Sequence, residues 1–96
     1  MMHNMNLIDL LNQINSVDED LIIFLKNMDD YKSDLILAYP EDDDNGIKVE
    51  NGDKYYYLLE VFLAKEFVSD WIDSLDYSPS QEEVAKRLYE YGINDA

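Results

Sequence analysis

The chain has 96 residues, 47% of them apolar and 12% aromatic, and its 22 Asp and Glu against 7 Lys and Arg give a formal net charge of −15. That length supports a single domain over residues 1–96, and the apolar content is too high for the low-hydrophobicity signature of disorder, so a folded core is expected. The charge opposes binding to nucleic acid or to an anionic membrane surface, and a chain without Cys has no disulfide, thiolate nucleophile or Cys-based metal site.

The first residues, Met1-Met2-His3-Asn4, carry neither a basic leader nor a long apolar run, and no apolar stretch approaches the roughly 18–20 residues of a membrane span. A cytoplasmic location is the expectation, with Met5 as an alternative start. Leu7, Ile8, Leu10, Leu11 and Ile14 recur at spacings of three and four, which predicts a helix over about Asn6–Asn15 capped by Asn4 or Asn6. After the acidic turn Asp18-Glu19-Asp20, the run Leu21–Leu25 is short and rich in β-branched and aromatic residues, the pattern of a buried strand. Residues Asp34–Tyr39 repeat that character and stop at Pro40, which cannot donate to a sheet ladder.

Glu41, Asp42, Asp43 and Asp44, followed by Asn45-Gly46, read as a solvated acidic loop. A hairpin around Asn51-Gly52 follows. Two-residue closure would pair Val49 with Lys54; a three-residue loop Glu50-Asn51-Gly52 instead places Ile47, Val49, Tyr55, Tyr57, Leu59 and Val61 on one face, and that register is preferred here. Tyr56 then points to the opposite face. From Phe62 the period becomes helical, with Leu63, Phe67, Val68, Trp71, Ile72 and Leu75 on the inner stripe. Ser80 and Glu83 match a capping box that opens a last helix, which carries Val84, Ala85, Leu88 and Tyr91 inward and ends at Gly92. The fold class expected is α+β: an antiparallel meander of about four strands with one N-terminal and two C-terminal helices packed on it.

Catalytic chemistry finds little support. The clustered carboxylates have no apolar pocket to separate their pKa values, and the single histidine, His3, sits at a chain end. Glu41, Asp43, Asn45 and Gly46 fall at the first, third, fifth and sixth places of a calcium loop, but the twelfth place is Gly52 instead of a bidentate Glu. No enzyme activity, cofactor or metal site is therefore expected, and a carboxylate-based metal-dependent enzyme is the weakest alternative.

A net charge of −15 exceeds the magnitude of ~2 to 8 that suffices to keep a small domain soluble, which points to a basic protein as the partner. The binding residues expected are Glu41, Asp42, Asp43 and Asp44, with Tyr56 as an aromatic anchor beside them. In size, acidity and lack of Cys the chain resembles small bacterial immunity proteins, including those paired with contact-dependent growth-inhibition toxins. That resemblance implies a cytoplasmic inhibitor of a toxic nuclease. Phage-encoded nucleic-acid mimics and CRISPR inhibitors share the same character and stand as the alternative.

Overall fold

Asn6 opens the first helix through a reciprocal capping box: its side chain accepts from the Asp9 amide at 2.9 Å, and the Asp9 carboxylate accepts from the Asn6 amide at 3.2 Å. The computed structural model describes residues 5–40 and 46–95. Helix α1 (Leu7–Leu11) is shorter than its periodicity predicted and gives way to a 3-10 turn at Ile14–Ser16, which still turns Ile14 into the core. Strands β1 (Ile22–Leu25), β2 (Leu35–Ala38), β3 (Ile47–Glu50) and β4 (Asp53–Glu60) follow, then helices α2 (Val61–Asp73) and α3 (Gln81–Asp95). The class is α+β as expected, one antiparallel four-stranded sheet with one N-terminal and two C-terminal helices. Among the described residues no helix is long and apolar enough to cross a membrane.

The strand order is β2-β1-β4-β3, so the two hairpins meet through β1 and β4 and the sheet is not the meander the sequence suggested. Burial explains this. All four residues of β1 are buried, as fits an interior strand whose two faces are covered and whose two edges pair with β2 and β4. β3, mostly exposed, takes an edge. The other edge, β2, is partly closed by Met5, whose carbonyl accepts from the Leu35 amide at 2.7 Å.

The β3–β4 turn corrects the preferred register. Val49 pairs with Lys54 and Glu50 with Asp53, so closure takes two residues, Asn51 (φ 53°) and Gly52 (φ 85°). Positive φ at both central positions is the type I′ geometry that Asn-Gly favours because its twist matches that of the strands. A bulge then interrupts β4: Ile23 pairs with Leu59 but Phe24 with Tyr57, leaving Leu58 as the extra residue. Strict alternation fails there, and Leu58 and Leu59 both enter the helix-side core. Tyr55 and Tyr57 consequently lie on the helix-free face, where Tyr57 meets the fully buried Phe24 edge-on at 6.3 Å. Because a Cβ at Gly52 would meet nothing within 4 Å, Gly52→Val should lose only the backbone term, about 1–2 kcal/mol in chemical denaturation. Asn51→Asp should be nearly neutral, and unchanged stability in Gly52→Val would contradict the turn.

One core lies between sheet and helices: Leu7, Leu10 and Leu11 of α1, Ile23, Leu25, Leu35, Leu58 and Leu59 of the sheet, Val61 and Ala64 of α2, and Val84, Ala85 and Leu88 of α3. Phe67 and Trp71, read from the sequence as inner-stripe residues, are only partly buried against it. The contribution of α2 comes from its first turn, and its later turns lie against the rim of the core. Ser80 caps α3 as predicted, accepting from the Glu83 amide at 3.1 Å, but the Glu83 carboxylate takes the Tyr77 hydroxyl instead of closing the box. Gly92 does not end α3. The helix continues through Asp95, and Gly92 sits where the helix backbone presses on Leu58 and Leu59.

Candidate functional site

The sheet register gathers acidic residues that are far apart in sequence. Ile22 pairs with Ala38 on one side and Glu60 on the other, so the residues just before β1, just after β2 and at the β4–α2 junction converge at one end of the sheet. The Phe62 amide donates to the Glu19 carbonyl at 3.2 Å and the Val61 amide to the Leu21 carbonyl at 2.9 Å, fixing α2 to the acidic turn. A depression of about 340 Å³ results, lined by Glu19, Asp20, Ile22, Pro40, Glu60 and Phe62. Phe62, 45% exposed, lines this depression with Glu19, Asp20 and Glu60, and Tyr39, 56% exposed, bonds Asp18 beside it.

This shelf is ordered locally. The Tyr39 hydroxyl donates to the Asp18 carboxylate at 2.7 Å, and the other Asp18 oxygen accepts from the Asp20 amide at 2.9 Å. The backbone donor first, and Tyr39 second, hold the Asp18 carboxyl below its ordinary range, so it stays ionised; the same bond raises the Tyr39 phenol. Tyr31 donates in the same way to Glu82 at 2.6 Å and Tyr77 to Glu83, while the Tyr89 hydroxyl donates to the Met28 carbonyl at 2.5 Å. In a chain with three times as many acids as cations, three of the eight tyrosines, Tyr31, Tyr39 and Tyr77, act as phenol donors that order carboxylates.

The predicted binding residues Glu41, Asp42, Asp43 and Asp44 lie outside the described residues. Their attachment points are within them. Pro40 lines the depression on the shelf, and the Gly46 carbonyl accepts from the Tyr57 amide at 2.8 Å. Tyr56, paired with Ile47 and Leu25, points to the face opposite Tyr55 and Tyr57, but the faces are exchanged: Tyr56 shares the helix side with the core residue Leu25, while Tyr55 and Tyr57, expected to line the core, lie on the helix-free face. It is 37% exposed beside Ile47 and Val49, which the two-residue turn brings to the same face.

Sequence reading missed Tyr39, Glu60 and Phe62 as site residues and took Asp18, Glu19 and Asp20 only as a turn. Their charge was visible, but their convergence depends on the long-range β1–β4 pairing. The helix-free sheet face holds a larger groove, about 740 Å³, whose lining includes Lys26, Lys48, Asp34, Glu50, Asp53 and Tyr55. Its charges are of both signs, and Lys26 is paired with Asp53 at 3.4 Å, so it lacks the one-sign field of the shelf. Among the described residues no group of three or more His, Asp or Glu is arranged to hold a metal ion. Comparison of the chain with family models, with curated proteins and with solved structures found no match.

Proposed function

We propose that the chain binds and neutralises a basic protein, acting as an immunity protein against a toxic nuclease in the cytoplasm. The observation that carries this reading is the shelf, where Glu19, Asp20 and Glu60 line a depression with Phe62 and Pro40, and Asp18 beside them takes the hydroxyl of the exposed Tyr39. A nuclease holds its substrate in a cationic cleft, and a dense acidic surface is steered to such a cleft by the same field that attracts phosphates. Exposed aromatics supply what charge alone does not, since interface hot spots are enriched in rigid rings that bury area at little entropic cost. Tyr56 with Ile47 provides a second apolar contact at the far end of the acidic segment.

The test is whether a neighbouring gene encodes a toxin with a basic C-terminal domain, followed by co-expression of this chain with that domain. Growth should be rescued and the two chains should co-purify. A chain that neither binds that domain nor restores growth would overturn the reading.

A further inference from the structure

We infer that the seam between α2 and α3 is the anchor pocket of this binding protein, and that it takes an apolar side chain flanked by Lys or Arg on the partner. The inference rests on the reading that the partner is basic, and adds to it where the apolar contact is made. Leu63, Phe67 and Trp71 fall at four-residue spacing along α2 and form one open stripe. Tyr91 of α3 closes its far wall, stacked on Phe67 with ring centroids 4.4 Å apart and 15° between planes. Together they bound a groove of about 320 Å³, at the lower end for a small-ligand pocket and suited to a side chain or two.

The rim selects the occupant. Glu66 and Asp70 line the groove and are exposed, and Phe62, Glu66 and Asp70 form a second row at four-residue spacing that runs from the acidic shelf to the seam. The nearby cation, Arg87, lies over the Trp71 ring at 5.8 Å and is paired with Glu90 at 3.3 Å, so it leaves the rim acidic. A second copy of this chain would bring another −15 against that rim and is a poor occupant. A basic segment with an apolar centre fits both the rings and the carboxylates. The shelf and the seam then form one continuous contact surface along α2, the first dominated by charge and the second by aromatic area.

Trp71 is the only tryptophan in the chain, so its emission reports on this groove alone. The probe is the dye-labelled peptide KKKLFLKKK, compared with KKKSGSKKK, titrated into the full-length chain at low ionic strength. The first peptide should bind about tenfold or more tightly by anisotropy, and should shift Trp71 emission to the blue with the same midpoint. Charge reversal by Glu66→Lys with Asp70→Lys, both at exposed positions, should abolish that preference, while Asp29→Lys with Glu50→Lys should retain it. Equal affinity for the two peptides, or saturation by anisotropy with Trp71 emission unchanged, would overturn the seam while leaving the basic-partner reading intact. Failure of both peptides to bind would overturn the seam and count against that reading as well.

Discussion

Phe24→Ala should lower the stability of the protein several times more than Trp71→Ala, which should leave a cooperatively folding chain close to wild type. Phe24 is 0% exposed at the centre of the helix-free face, held edge-on by Tyr57 on β4 and paired in register with Ile36 on β2. Truncating a buried Phe costs about 3–5 kcal/mol in lost transfer energy and cavity formation, a large part of the 5–15 kcal/mol that stabilises a typical small domain. Trp71 is only partly buried, with one face against Arg87, so its truncation removes a fraction of that area and should cost about 1–2 kcal/mol. At roughly 4–8 °C per kcal/mol for a chain of this size, the Trp71 variant should melt cooperatively within ~15 °C of wild type. Thermal unfolding followed by circular dichroism reads both. The reverse ranking would mean that Phe24 is not enclosed on the helix-free face as described and that Trp71 belongs to the core.

Gly92 provides the second large effect. A Cβ there would approach Leu58 Cγ and Cδ1 to 2.7 and 2.8 Å and Leu59 Cδ2 to 3.3 Å. Leu58 and Leu59 are 1% and 0% exposed, so neither can swing into solvent to make room. In an exposed helix interior Gly→Ala gains about 1 kcal/mol of helix propensity; here the overlap, typically 1–3 kcal/mol for an overpacked core, should cancel or exceed that gain. Gly92→Val adds two further carbons and should destabilise by about 2–3 kcal/mol or more. A Gly92→Ala chain more stable than wild type by the full propensity difference would show that α3 does not press on β4 as described.

These two positions also mark where sequence reading stopped. The α+β class, the four strands and the three helices follow from period and turn chemistry, which are local. Gly92 near the end of a helical pattern has the signature of a cap, and only the bulged Leu58 opposite it shows that it is a close-approach residue. The bulge has no signature of its own, because Tyr55-Tyr56-Tyr57-Leu58-Leu59 is apolar on both faces and alternation cannot reveal a slip. The Asn51-Gly52 turn was found, but its loop length was decided by the assumption that Tyr55, Tyr57, Leu59 and Val61 share a face; the bulge and the start of α2 at Val61 break that assumption. At the site, the acidic run Glu41–Asp44 is legible from composition alone. The placing of Asp18–Asp20 and Glu60 beside its point of departure follows from the order β2-β1-β4-β3, which no local pattern encodes.

The association rate with the basic toxin domain proposed as the partner, measured by stopped flow from low to high ionic strength, tests the central claim most directly. Three shelf carboxylates are replaced in one variant, Glu19→Gln, Asp20→Asn and Glu60→Gln, and three distant ones in a control of the same net charge, Asp29→Asn, Glu50→Gln and Asp76→Asn. Steering by the shelf predicts that the first variant associates about tenfold or more slowly than the control at low salt, and that the difference shrinks as salt screens the field. Identical rates and identical salt slopes for the two variants would contradict it.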